Sequence, residues 1–483
     1  MSGRRLLCHD ESVTDRLSAT DAAFLYSEDA TAPLHVGGVV LLEPRGEFDY
    51  QRVVDLVWQR LGQLPRYRQV VRYVPGRLAR PVWVDDEDFD LSFHVRRSSL
   101  PHPGSAAQLD ELVGRLISRP LDRSRPLWEL YIVEGLAGGR VALINKTHEA
   151  LVDRVGAVDV AAAILDVTAR PRELPETPWI PTPAPSATDL VVDAVADLIA
   201  RPAEAIDAAR LVAVDLRSTL AGLVEAGAAV ADVARRSLRP AARSAMSVPV
   251  AGPRLFAAAQ ADLATVKRIR RAHGGTVNDV ILAVIAGAAR SWLLSRGDPV
   301  SGASPLRALV PLSVRPDTPD APSGVTSYLI DLPVAEPSPV MRLHQVSFAM
   351  QSHTESGRGV GAQALLSLGR FAPPALHAMG ARVAGQLSRR SYDLLVTNVP
   401  GPQTRLFAAG DPVAAMYPVV PLVHGHALAV GCTSYRGRVY FGLTADRDAM
   451  PDAGEFSALL AEAVQELAGT VPAPRRAPAR GSR

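Results

Sequence analysis

The chain has 483 residues, enough for two domains or one large one, so burying a sizeable core is not limiting. Apolar residues make up 47% and aromatic ones only 5%, a globular composition whose core must be built from Ala, Val and Leu, which excludes a disordered chain. Lys and Arg together number 52 against 50 Asp and Glu, so the molecule has no overall field for a polyanion, and no nucleic-acid partner is expected.

The opening residues, MSGRRLLCHDESVTDR, carry two arginines with no apolar run behind them, so no secretory signal is expected and the chain is read as cytoplasmic. Cys8 and Cys432 lack the paired spacing of a metal or redox site and are expected to be free thiols. LHVGGVVLLEP, from Leu34, and RVALINK, from Arg140, are short β-branched-rich runs that predict strands. QRVVDLVWQRLGQL and AAQLDELVGRLI repeat their apolar residues at helical intervals. PRELPETPWIPTPAP, from Pro171 to Pro185, holds six prolines and marks an extended connection. Ala-, Val- and Leu-rich helices are then expected from Asp189 to about Arg236, interrupted at Pro202.

The second unit begins at about Leu255. Thr276-Val277-Asn278-Asp279 reads as a capping box with Asp at its third position, opening a helix that runs to about Ser295 before Gly297. Its apolar run, Val280 to Ala289, is ten residues, short of the roughly 20 that cross a bilayer. RALVPLSV, SYLIDLPV and YDLLVTNVP predict strands, and HALAVGCTSYRGRVYFGLTAD predicts a hairpin turning at Arg436-Gly437. The fold class is therefore mixed α/β. The expected units are 1–180, a Pro-rich then helical linker at 181–250, a second unit at 251–470, and a basic, disordered tail at 471–483.

The stretch NKTHEALVDRVG, Asn145 to Gly156, carries the most chemistry. A zinc-protease helix needs a second His four residues after the first; Val152 stands there, so no metal is expected. His148, at a strand end, suits either a structural donor or a proton acceptor. Asn278 and Asp279 suit either helix capping or a site role, and Thr397-Asn398, before Val399-Pro400-Gly401-Pro402, suit either a turn entry or an oxyanion donor. Trp128 reads as a packing residue.

The chain resembles the wax ester synthase/diacylglycerol acyltransferase family, whose motif is His-His-x-x-x-Asp-Gly. The resemblance runs through LSATDAAFLYSEDATAPLHVGGVVLLEP, RPLWELYIVEGLAGGRVALINKTHEALVD, Asn278-Asp279, PLRALVPLSVR, VTNVPGP and MYPVVPLVHGHALAVGCTSYRGRVYFGLTADRD. It implies two chloramphenicol-acetyltransferase-like domains in one chain, with acyl-CoA as co-substrate, no bound cofactor, and a diacylglycerol or long-chain alcohol as acceptor. It also implies that the second His of the motif takes the hydroxyl proton, and it suggests contact with the inner membrane face or lipid droplets. In this chain His148 matches the first His, Glu149 replaces the second, Asp153 matches the Asp, and Arg154 replaces the Gly. An unperturbed Glu has a pKa of about 4.3 against about 6.5 for His, so Glu149 is a roughly hundredfold weaker base unless burial raises it. Pairing with Arg154 would lower it instead. The two expectations are a weak or altered O-acyltransferase, or a non-catalytic homologue that binds acyl-CoA, lipid or a partner protein.

Overall fold

A computed structural model describes residues 15–152, 163–172, 174, 178–200, 245–300, 306–314, 324–355 and 392–472. The first part of the chain builds α1 (Ala19–Ser27), β1 (His35–Leu42), α2 (Tyr50–Leu61), β2 (Gln69–Arg72), β3 (Val82–Asp85), α3 (Leu91–His94) and β4 (Val95–Ser99). It continues with α4 (Ala106–Ile117), β5 (Trp128–Glu134), β6 (Val141–His148), β7 (Leu165–Asp166) and α5 (Ala187–Ala200). The second part builds β8 (Arg254–Asp262), α6 (Leu263–His273), α7 (Val277–Ser295), β9 (Leu306–Val314), β10 (Gly324–Leu332) and α8 (Pro339–Glu355). It closes with β11 (Leu394–Val399), β12 (Phe407–Ala408), β13 (Asp411–Val419), β14 (Leu428–Tyr435), β15 (Arg438–Asp446) and α9 (Ala453–Gly469). Asp153, Arg154, the expected helices beyond residue 200 and the basic tail lie outside the described residues.

Two large sheets carry these elements. The first has the order β4-β5-β6-β1-β13-β12-β7 and the second β10-β9-β11-β14-β15-β8. The mixed α/β class with two units is therefore present, but the second unit is not self-contained. Its strands β12 and β13 belong to the first sheet, where β13 pairs antiparallel with β1 from Gly37–Val419 to Leu42–Val413. The segment 251–470 thus lends strands across the boundary expected at 181–250. Periodicity identifies a strand but not its neighbour, so the exchange is invisible in composition.

Each sheet has its own core. The first packs Val39 and Leu42 of β1 and Ile132 of β5 against Val53 of α2 and Val113 of α4. The second surrounds α7, which is buried over most of its length and packs against α8 and α9. Among the described residues α7 is also the helix long and apolar enough to cross a membrane, but its apolar faces are taken by this core. Its start follows the sequence: Thr276 Oγ1 accepts the Asp279 N–H at 3.1 Å, and Asp279 Oδ2 accepts the Thr276 N–H at 2.8 Å. The hairpin at Arg436-Gly437 also forms, both residues having positive φ (43° and 77°), as a type I′ turn demands. Cys432 is a buried free thiol in β14.

The two sheets meet where β13 crosses β14 and β15. Pro418 packs so closely over Gly431 and Gly442 that a Cβ on Gly442 would collide with the Pro418 carbonyl, and one on Gly431 would lie 2.7 Å from a Val420 methyl carbon. Glycine is required here for close approach, not for turning. Gly442→Ala is expected to destabilise the protein by about 3 kcal/mol through overpacking at this junction. Thr276→Ala is expected to cost about 1 kcal/mol through the lost cap. Denaturant unfolding of both variants measures the two effects side by side; a Gly442→Ala protein as stable as wild type would contradict the junction.

Candidate active site

All eight residues of β6 are buried, yet its sequence changes from VALI to NKTH halfway along. Buried polar side chains ordinarily find partners, and Lys146 and His148 of β6 find them at the end of α4 and at the loop after α1. Lys146 Nζ donates to the carbonyls of Leu116 (3.2 Å) and Arg119, and lies 3.6 Å from Glu129 Oε2. Burial pushes the Lys146 ammonium down, and Glu129 works against that shift. On the adjacent strand, His35 sits opposite His148 and its Nε2 donates to the Ile117 carbonyl at 2.8 Å. Burial, reinforced by the Lys146 charge, lowers His35 to about 3, so it is neutral. Carbonyls left open at the end of α4 are thus closed by side chains of β1 and β6.

His148 is 1% exposed, and both of its ring nitrogens are engaged. Nδ1 accepts the Ala150 N–H at 3.0 Å, so the ring proton resides on Nε2, which donates to Glu28 Oε2 at 3.2 Å. Glu28 caps α1, its N–H donating to the Phe24 carbonyl at 3.1 Å. Its carboxylate also pairs with Arg123 and accepts the Leu34 N–H at 3.0 Å. Burial alone would raise the Glu28 carboxyl; its hydrogen bonds to His148 and Arg123, with the Arg123 charge, outweigh it and bring the group down to about 2. The arrangement fixes the imidazole's tautomer and orientation at the end of the strand.

Glu149 follows as the chain leaves β6. Its N–H donates to the Leu34 carbonyl at 3.0 Å, and the residue is partly exposed, in contrast to His148. Trp128, opposite Thr147 on the neighbouring strand, is fully buried, its indole N–H donating to the Tyr67 carbonyl at 2.7 Å and its ring stacking on His94 at 4.6 Å.

The remaining expected residues gather on the second sheet and α7. Asn398 of β11 donates from Nδ2 to Asn278 Oδ1 at 3.2 Å, while the Asn278 amide nitrogen is buried without a partner among the described residues. Asp279 is committed to the cap of α7 and also accepts from Ser347 Oγ at 3.1 Å. Thr397, half-buried, pairs with Gly431 of β14. The structure therefore joins Asn278 to Asn398 and His148 to Glu28, in groups on different sheets. Sequence reasoning missed Glu28, Arg123, His35 and Lys146. The signal for Lys146 was a Lys inside an otherwise strand-like run; none marked Glu28, which lies 120 residues from His148.

A family model described as the wax ester synthase/diacylglycerol acyltransferase catalytic domain matches residues 17–281, and one for the WS/DGAT C-terminal domain matches residues 324–468. The probable diacyglycerol O-acyltransferase tgs3 of Mycobacterium tuberculosis is 45% identical over 257 residues, covering 53% of this chain and 95% of that protein. The probable diacyglycerol O-acyltransferase tgs1 of the same organism is 33% identical over 457 residues, covering 94% and 96%. The solved wax ester synthase/diacylglycerol acyltransferase of Marinobacter aquaeolei VT8 aligns with TM-score 0.64 and 29% identity over 94% of this chain and all of that one. The first condensation domain of the CDA synthetase, at TM-score 0.51 and 16% identity over 95% and 97%, shares the fold.

The Glu28 network yields a pH prediction. A carboxyl held below its ordinary value contributes stability above about pH 4.5 that is lost as pH falls toward about 2. His35, lowered from 6.5 to about 3, adds a separate loss that begins as pH falls below about 6.5, because the unfolded chain then binds a proton the folded one does not. Glu28→Gln should therefore be less stable than wild type by about 3 kcal/mol at pH 7, with the difference shrinking toward zero by about pH 2. Urea unfolding of both proteins from pH 7 to 2 measures this; a difference that does not change with pH would contradict the network.

Proposed function

The chain belongs to the wax ester synthase/diacylglycerol acyltransferase family, and from that premise we propose that it transfers an acyl group from acyl-CoA to the hydroxyl of a diacylglycerol or long-chain alcohol, with weak or altered turnover. The acceptor oxygen attacks the thioester carbonyl as its proton passes to a base; the carbon–sulfur bond breaks and the CoA thiolate is protonated. Glu149 is the residue at the base position, and His148 is a positioning residue. The observation that carries this division is the engagement of both His148 nitrogens, by Ala150 and by Glu28, inside the protein. A carboxylate base fits a slow enzyme, since its proton affinity at neutral pH is roughly a hundredfold below that of an imidazole.

The acceptors are insoluble, so the reaction belongs at an interface. We place it on the cytoplasmic side, at the inner membrane face or a lipid droplet, with acyl-CoA arriving from water.

The test is acyl transfer by the purified chain with radiolabelled palmitoyl-CoA against dipalmitoylglycerol and hexadecanol. Wild type should turn over slowly and Glu149→Ala should abolish the residual rate. Glu149→His with Arg154→Gly, which restores the family motif, should raise it by about tenfold or more, a positioned base being worth a hundredfold to ten-thousandfold. Fast wild-type turnover would contradict the weak-base reading. A rate indifferent to Glu149→Ala would move the base role to another group, whereas no wild-type turnover and no gain in the double variant would replace the enzyme with a binding protein of the same fold.

A further inference from the structure

Outside the His148 group, the edge of the first sheet holds a concentration of positive charge with no assigned role. Between β4 and the last turn of α4 lies a cavity of about 260 Å³ lined by Arg96, Arg97, Arg115 and Arg119 with Tyr131 and Leu116. Two of the guanidiniums are neutralised. Arg97 makes a two-pronged pair with Glu134, at 2.6 and 3.2 Å, and Arg96 lies 3.2 Å from Glu129. Glu129 is already shared, its Oε2 accepting from Tyr131 at 2.9 Å and facing Lys146 at 3.6 Å. Arg115 and Arg119 have no hydrogen-bond or ion-pair partner for their guanidiniums among the described residues, and Glu111, one turn before Arg115, is not paired with it. The local balance is thus five cations (the four arginines and Lys146) against Glu129 and Glu134.

Arginines near a helix C-terminus ordinarily cap its last carbonyls. That explanation is not available here, because Lys146 holds the carbonyls of Leu116 and Arg119, His35 holds that of Ile117, and Ser118 Oγ donates to that of Gly114 at 2.6 Å. Charges on an edge strand also discourage strand pairing. Yet Arg115 and Arg119 come from α4 and the turn after it, and they converge on a concave space. Planar guanidiniums grouped around a cavity of this size suit a tetrahedral dianion, which accepts several N–H donors at once.

We propose that this cavity is a phosphate-binding site, with Arg115 and Arg119 as its principal donors, Arg96 at its wall and Tyr131 in its floor. Its ligand is a phosphate-bearing group, supplied either by the nucleotide end of a coenzyme A thioester or by the headgroup of an anionic phospholipid. The site does not depend on the base at residue 149, and binding is expected whatever the rate of acyl transfer.

The full-length chain is titrated by calorimetry at low ionic strength with adenosine 3′,5′-bisphosphate, and is sedimented with phosphatidylglycerol vesicles against phosphatidylcholine vesicles. Arg115→Gln/Arg119→Gln should weaken binding of at least one probe tenfold or more, and Arg115→Gln alone three- to fivefold, should the double variant fold poorly. Arg270→Gln/Arg271→Gln, which removes the same charge from α6, should change it less than twofold. A loss confined to the bisphosphate assigns the nucleotide source; a loss confined to the vesicles assigns the headgroup. Absence of binding by wild type to either probe, or an equal loss in the α6 control, overturns the proposal.

Discussion

A carboxylate removed from water stays charged only if several donors converge on it, and Glu28 has Arg123, the His148 ring and the Leu34 N–H. Those partners come from the segment after α4, the end of β6 and the start of β1, so one side chain fixes where distant stretches of chain meet. The same contacts fix the His148 tautomer, which in turn accepts the Ala150 N–H and sets the turn that carries Glu149. Removing the carboxylate would leave the buried imidazole N–H of His148 without its acceptor, while Arg123 would keep only the Leu25 carbonyl and the Tyr73 hydroxyl.

The loop after α1 also ties the two units together. Asp29, the next residue, pairs with His424 at 2.5 Å, and the Thr31 carbonyl accepts from Arg254, which is buried against Asp446. Arg254 donates its own backbone N–H to Ser118 Oγ at 2.8 Å, at the end of α4. With β13 inserted beside β1, these contacts make the first sheet depend on residues from both parts of the chain. The seven-stranded order follows from that exchange, since β7 and β12 reach the first sheet only through β13.

Local rules were legible in the sequence and non-local ones were not. The α7 start at Thr276, its end at Ser295 and the Arg436-Gly437 hairpin emerge as read, because a cap and a type I′ turn are chosen by neighbouring residues. The strands β1, β6, β9 and β11 appear where β-branched runs suggested them. The placement of β13 in the other unit's sheet, and the pairing of Glu28 with His148, depend on contacts across long separations that no periodicity encodes. Short strands such as β7 and β12 have two residues each and carry no pattern to detect. At the candidate site, His148 and Glu149 were found through the family motif, whereas the partners of His148 came from geometry.

Whether His148 can accept a proton depends on which of its nitrogens carries one, because a ring pinned through Nε2 and capped at Nδ1 has no lone pair to offer an alcohol. Heteronuclear NMR of the full chain labelled with ¹⁵N-histidine, assigned with a His148→Gln variant, reads this directly at neutral pH. The structure predicts a protonated Nε2 and an unprotonated Nδ1 for His148, a distribution that changes in Glu28→Gln. A ring protonated on Nδ1 with Nε2 free, unaffected by Glu28→Gln, would contradict it and return the proton-accepting role to His148.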